Sequence, residues 1–389
     1  MVMAETTTRN WVGSSGTLQR RDVLRLLASS AGMALTSGMY SSVHAAPLRQ
    51  ASGKLAVYSA LNESTNNAFV AAFKKEHANI DVELLPLAAA GELQTRIRTE
   101  KDSPKADIFI GGSSEFHDPL GKAGLLVAYQ SPHAADVDDR YKSPDGYWTG
   151  WYIGIFGFVY NSDRFGKEMA GAKPPARWDD LLTGGWKGNL VLPDPVKTGG
   201  GYIFIVTQIF RFAQALGLVP AAQPGMAVAP ATAIAIDYTR AEAAAMDYLK
   251  KLHANIGQYT GTAPQAIQLV GQGQFVGAPN WSHDILTARS QGQPVALAVP
   301  AETGFEVGAV SIVKGGPNTE AAKTFVDWVL TKPASELNVK LSNRLSVLKD
   351  VAPAPGAPTL DQVQLVPYDR TWATANKDRV LKKWQATIS

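Results

Sequence analysis

Gln274-Phe275-Val276-Gly277-Ala278-Pro279-Asn280-Trp281-Ser282-His283-Asp284-Ile285 carries an apolar run straight into a polar cluster. The run 274–278, bounded by glycine and proline, reads as a buried strand. Ser282 has the chemistry of a helix cap, with Asp284 in the first turn, where the helix dipole favours an anion. A strand that empties into polar side chains and opens a helix is where open α/β sheets bind ligands. The cluster offers an amide, an indole, a hydroxyl, an imidazole and a carboxylate, and Glu306 follows after the next apolar run. Such a set suits a small polyhydroxylated ligand. Ser and Asp at a helix start are also ordinary capping residues, so this stretch needs support from the rest of the chain.

The same alternation recurs on both sides of it. Residues 54–58 predict a strand that ends at Ser59 and leads through Ser64 and Thr65 into a helix over 67–77, with Phe69 and Phe73 on its apolar face. Strands at 81–85 and 106–110 flank an amphipathic helix at 91–101, and the last strand ends in Gly111-Gly112-Ser113-Ser114. This βαβαβ order is the unit of a doubly wound sheet. Residues 147–161, rich in aromatic and β-branched side chains, predict long strands buried on both faces that cross between two lobes. Residues 305–313 predict the return crossing. Further helices are expected over 178–182, 203–218, 240–253 and 319–330, with a strand at 189–192. The tail begins Ala352-Pro353-Ala354-Pro355-Gly356-Ala357-Pro358, read as an extended linker, and ends in a helix over 372–384. The expected organisation is an export signal over 1–45, lobe 1 over 46–152, lobe 2 over 153–305, a return to lobe 1 over 306–350, and a linker and helix over 351–389.

With 389 residues, 45% hydrophobic and 18% charged, the chain has ordinary soluble composition and length enough for two domains. The absence of cysteine excludes disulfides, thiolate metal sites, a cysteine nucleophile and an N-terminal lipoprotein anchor. Arg20-Arg21, the short apolar segment 26–35 and the small-residue pattern Val43-His44-Ala45 read as a twin-arginine export signal with its cleavage site. Asp22-Val23 departs from that pattern, which keeps general secretion open; either route leads to the periplasm or beyond. Without residues 1–45 the chain holds 33 basic against 32 acidic side chains, a net charge of +1. No basic stripe remains for nucleic acid or a membrane.

Anions bind where helices begin, because free N–H groups and the dipole both favour them. Ser64-Thr65, Ser113-Ser114 and Thr198-Gly199-Gly200 each supply small residues and a hydroxyl at such a start. None has the spacing of a nucleotide loop. Catalysis has less support: no Gly-x-Ser-x-Gly elbow, His-Glu-x-x-His or metal-spaced histidine cluster is present. His283 and Asp284 are adjacent, so on a helix their side chains diverge by about 100°. His117 and His133 read as loop residues. No cofactor and no metal site is expected.

Val57-Tyr58-Ser59-Ala60-Leu61-Asn62-Glu63, Ala106-Asp107-Ile108-Phe109, Gly157-Phe158-Val159-Tyr160-Asn161-Ser162-Asp163 and the run 307–318 together resemble a periplasmic solute-binding protein of an ABC importer. The resemblance is to the ferric-binding-protein-like group, and it covers roughly Lys54 to Leu348. It implies a type II-like fold of two α/β lobes joined by crossing hinge strands and closing on ligand, with no catalysis. It also implies an ABC permease in the inner membrane as partner; the chain is read as a monomer. Ferric binders of this group use a pair of adjacent tyrosines, and Asn280-Trp281-Ser282 stands where they are expected. The sequence is similar instead to the subgroup that binds hexose phosphates, in which a His-Asp pair and a later glutamate hold sugar hydroxyls. His283, Asp284 and Glu306 match that pattern, with Trp281 and Asn280 beside them. Ser59, Ser64, Thr65, Ser113, Ser114, Thr198 and Gly199 are then the candidates for the phosphate. The alternatives are another small anion such as 2-aminoethylphosphonate, ferric ion, or, in a different class, a secreted phosphatase-type enzyme.

Overall fold

The computed structural model describes residues 51–87, 90–169, 171–220 and 236–388. The export signal and its cleavage point lie outside these residues. In the first half, Gly53–Ser59 (β1), Ile80–Pro86 (β2) and Ile108–Ser113 (β3) form parallel pairs with β1 in the middle. Glu63–Glu76 (α1) and Ala90–Thr99 (α2) make the crossovers. The cap of α1 is Asn62, whose side chain accepts the Thr65 N–H, and Phe69 and Phe73 bury edge-on against Trp328.

Ser114–Lys122 (α3) follows directly on β3, before Leu126–Val127 (β4). The sequence reading lacked this helix because Pro119 and Gly121 interrupt its pattern. Tertiary packing overrides them: a Cβ on Gly121 would lie 2.5 Å from the Tyr147 side chain. His117, read as a loop residue, belongs to this helix and is fully buried. It is stacked on Phe109 at 3.9 Å, with Nδ1 2.8 Å from Ser311 Oγ and Nε2 3.1 Å from the Gly111 carbonyl. Burial lowers its pKa to about 3, so it serves packing as a neutral ring.

Thr149–Asn161 (β5) is the single strand that the aromatic segment forms, buried at every position except Tyr160. The second half is built from Ser162–Glu168 (α4), Leu190–Pro193 (β6), Gly199–Ala215 (α5), Thr239–His253 (α6), Ile256–Thr260 (β7), Ala263–Gly271 (α7), Gly277–Trp281 (β8), Ser282–Ser290 (α8) and Val295–Ala298 (β9). Phe305–Val313 (β10), Thr319–Val329 (α9), Lys332–Ser342 (α10) and Leu345–Ser346 (β11) return to the first half, and Arg370–Ile388 (α11) closes the chain. Residues 178–182 form a 3-10 helix rather than an α-helix.

The sheet order β2-β1-β3-β10-β5-β8-β6-β7 makes β5 the shared strand of a mixed α/β architecture. Along one edge it pairs antiparallel with β10 over residues 149–155 and with β9 over 158–161. The other edge meets β11 at Tyr152 and Ile153, then β8 over 156–160. The return crossing is therefore carried by residues 299–304, between β9 and β10, and not by 305–313. Alternating apolar residues announce a strand but not which half it joins. Gly304 O accepts the Phe156 N–H and Thr303 Oγ1 donates to Phe156 O, which stitches this link to the middle of β5. The proline-rich tail has little regular structure but is no solvated spacer: Leu365, Val366 and Tyr368 are buried, and Leu365 bridges Thr303.

Candidate functional site

Gly154 of β5 is the point on which the site converges. Its register partner on β10 is Glu306. On the opposite edge β8 ends at Trp281, opposite Phe156, while β11 starts with Leu345 opposite Ile153. The gap between these two partners is filled by the start of α8, with His283 and Asp284, and by Arg344 just before β11. Side chains alternate along a strand, so Tyr152, Gly154 and Phe156 share one face. Glycine leaves room for Glu306 there: a Cβ on Gly154 would lie 2.9 Å from both Cγ and Oε1 of Glu306 and would push that side chain aside. Phe156 meets Trp281 edge-on with centroids 5.0 Å apart, and Trp281 Nε1 would touch a Cβ on Gly200 at 3.1 Å. The glycine-rich start of α5 thus lies against the same site.

The local structure of the 279–285 stretch differs in one respect from the sequence reading. Strand β8 runs on through Trp281, which occupies the N-cap position without a side-chain capping bond, and Ser282 is the first helical residue. Antiparallel pairing of Trp281 with Phe156 holds the indole residue in extended geometry and moves the boundary by one residue. His283 and Asp284 also approach each other more closely than a regular helix would suggest. Nε2 and Oδ1 are 3.5 Å apart, an electrostatic contact too long and poorly aligned for a hydrogen bond.

Burial controls the charges. It holds the His283 imidazole well below its ordinary range, and Arg344 lowers it further, so the ring is neutral at pH 7. Burial raises Asp284, with Arg344 opposing. Glu306 is pushed up to about 7 by burial, against the pull of Arg344 and with the help of Asp284 and Glu115. The Arg344 guanidinium lies 4.7 Å over the Tyr152 ring, and Arg344 and the Gly112 N–H both act on the Tyr152 hydroxyl. Among the described residues, the Nε–H of Arg344 and both ring nitrogens of His283 have no hydrogen-bond partner. A buried neutral imidazole and the half-buried side chains of Asp284, Glu306 and Arg344 are therefore gathered together with polar atoms to spare.

The remaining predicted residues fall into two groups. Asn280 is fully buried and turned to structural use, donating to Ala263 O and accepting the Trp281 N–H. Ser59 spends its proton on Asn66 and accepts the Leu61 N–H, and the exposed Ser64 bonds Asn62. Thr198 caps α5, accepting the Gly201 N–H and donating to Asp194 O. By contrast, Thr65 Oγ1 is buried with no partner among the described residues, and Ser113 at the start of α3 makes no side-chain capping bond. Ser114 is buried beside them, its hydroxyl 3.5 Å from Glu115.

Sequence reasoning missed Arg344, Tyr152, Gly154 and Glu115. Arg344 had a usable signal: Asn343 is a left-handed residue that ends α10, and the alternating Leu345-Ser346-Val347 that follows reads as a strand, which puts the basic residue at the turn between them. Gly154 and Tyr152 lie in a continuous apolar run whose register the sequence alone does not fix.

The profile of the family described as bacterial extracellular solute-binding proteins matches residues 68–364. The chain belongs to this family. An uncharacterised protein of Haemophilus influenzae is 30% identical over 348 residues, covering 86% of this chain and 90% of the relative. A Salmonella typhi periplasmic protein, provisionally named for 2-aminoethylphosphonate binding, is 23% identical over 68% of this chain and 69% of its own length. Among solved structures, the periplasmic binding protein AfuA from Actinobacillus pleuropneumoniae, with exogenous fructose 6-phosphate bound, is 28% identical with a TM-score of 0.71. That likeness covers 86% of this chain and 98% of AfuA. The family member described here is a solute-binding protein of the ABC-importer type with the two-lobe fold of its neighbours. The named relatives are periplasmic, and no helix among the described residues is long and apolar enough to cross a membrane.

Proposed function

We propose that this solute-binding protein captures a small phosphorylated sugar, a hexose phosphate, between its lobes and delivers it to a permease without chemical change. The observation that carries this reading is the gathering of half-buried Asp284, Glu306 and Arg344 around buried, neutral His283 at the middle of β5. Carboxylates accept hydroxyl hydrogen bonds, and the imidazole donates or accepts. Trp281 offers an indole to the CH surface of a sugar ring. The phosphate then belongs at the helix starts, where Thr65, Ser113 and Ser114 supply hydroxyls and the Thr198-Gly199 turn supplies N–H groups. Ser59, Ser64 and Asn280 support those segments through the bonds they already make. The likeness to AfuA with fructose 6-phosphate bound supports the same ligand class.

The Salmonella relative's name favours a second reading, a phosphonate. The ammonium of 2-aminoethylphosphonate donates to carboxylates as sugar hydroxyls do, so competition between that phosphonate and fructose 6-phosphate separates the two readings. The first reading is tested by His283→Ala, Asp284→Ala and Glu306→Ala. Each removes a hydrogen bond to a charged or buried group and should weaken fructose 6-phosphate binding about tenfold or more. Circular dichroism should remain native, and no inorganic phosphate should be released from the ligand. Undiminished affinity in all three variants refutes the site, and turnover to free phosphate moves the protein to the phosphatase class.

A further inference from the structure

The C-terminal helix touches both halves of the molecule. Helix α11 is fixed to the second half: Arg379 and Lys383 both pair with the buried Glu242 of α6, at 2.7 Å, and Trp384 packs edge-on against Tyr259 of β7. Its first turn is set by Asp369, whose Oδ1 accepts the Trp372 N–H at 2.9 Å and whose Oδ2 accepts from Tyr238 OH at 3.2 Å. These bonds aim Arg370 back at the first half. There its guanidinium lies 5.0 Å over Trp148, and its Nε stands 3.8 Å from Glu115 Oε1. Further along the helix, Lys377 Nζ sits 4.8 Å over Phe116 of α3 and 5.5 Å over Tyr202 of α5, again spanning both halves.

Glu115 is the acid in the first turn of α3, adjoining Ser113 and Ser114, and its side chain is only 13% exposed. Its charge reaches Glu306 as well. An enclosed carboxylate at that position repels an anion at the α3 start unless a cation cancels it. The cation comes from the other half.

We propose that Arg370 is a positioning residue for ligand capture: by pairing with Glu115 across the cleft it holds the lobes closed and cancels the charge Glu115 would turn on an anionic ligand. The second effect rests on the sugar-phosphate reading; the first does not. Titration with fructose 6-phosphate tests the charge role. Arg370→Ala should raise the dissociation constant at least about tenfold and speed ligand release, as loss of a largely enclosed ion pair does. Arg370→Lys should keep most of the affinity. Adding Glu115→Gln to Arg370→Ala should recover most of the loss, because the repelling charge is then gone, a rescue that a purely packing role does not give. Unchanged affinity in Arg370→Ala, or a double variant as weak as the single, overturns the charge role. The latch is read without ligand. The chain has no cysteine, so dyes on Lys101→Cys and Lys250→Cys, at exposed positions in the two halves, report their separation. Arg370→Ala should shift the ligand-free distribution to longer distances, and an unchanged distribution overturns the latch. Failure of the wild type to bind fructose 6-phosphate, with the distance shift intact, refutes the ligand and keeps the latch.

Discussion

Glu306 has the most informative titration in the molecule. Its folded pKa of about 7 stands above the ordinary value of 4.5, chiefly through burial. Between those two pH values the unfolded chain has released a proton that the folded protein still holds, so the stability of the ligand-free protein falls as pH rises from 4.5 to 7. One proton's difference between the two states is worth about 1.4 kcal/mol for each pH unit it spans, so this group alone accounts for up to about 3 kcal/mol across that window. Glu306→Gln should flatten that part of the stability curve in denaturant titrations at pH 4.5, 6 and 7.5; an unaltered slope would place the titration elsewhere. Ligand hydroxyls favour the ionised form, so binding near neutral pH should release a proton in the wild type and not in the variant. At this scale the sequence was partly legible. His283, Asp284 and Glu306 stood out because strand, polar cluster and helix start adjoin in the chain, and because they match the pattern of the hexose-phosphate subgroup. Arg344 comes from 38 residues beyond Glu306 and meets it only through the pairing of β10 and β11 with the same strand.

Strand β5 is the element that makes the site possible, since four strands lie along its two edges and the site groups gather at its middle. Gly154→Ala tests that geometry without touching a polar atom. The new methyl would lie 2.9 Å from the Glu306 carboxyl group and must displace it. Overpacking of this kind costs about 1–3 kcal/mol, so the variant should fold, melt somewhat lower and bind ligand at least about tenfold more weakly. Wild-type affinity would show that Glu306 need not sit over Gly154. The elements themselves were mostly readable: the βαβαβ start, the aromatic crossing strand and the amphipathic helices all carry their period in the sequence. Helix α3 was hidden by Pro119 and Gly121, and it forms because His117 and Tyr147 pack it in place. The tail was hidden for the opposite reason. Its prolines suggest a spacer, yet Leu365, Val366 and Tyr368 find room in the core.

For the whole molecule, capture depends on the two halves acting around β5 and the 299–304 link. In the proposed capture, closure brings the helix starts of α3 and α5 toward the carboxylates and guanidinium at the middle of the sheet, with α11 in contact with both halves. A ligand held by both halves shifts the population toward the closed arrangement by its differential affinity. Near-zero net charge outside the first 45 residues leaves recognition to these enclosed groups rather than to a long-range field. Fold class was legible because both halves repeat the strand-to-helix pattern. Ligand class was not fixed by that repetition, since the same two-lobe frame serves relatives named for different anions. The most direct test is calorimetric titration of the chain lacking residues 1–45 with fructose 6-phosphate, glucose 6-phosphate, the free hexoses, inorganic phosphate, 2-aminoethylphosphonate and ferric citrate. A hexose phosphate should bind at micromolar or tighter affinity, about −8 kcal/mol or better, with neither the free sugar nor phosphate alone approaching it. Preferential binding of the phosphonate or of iron, with no response to any sugar phosphate, would contradict the sugar-phosphate reading.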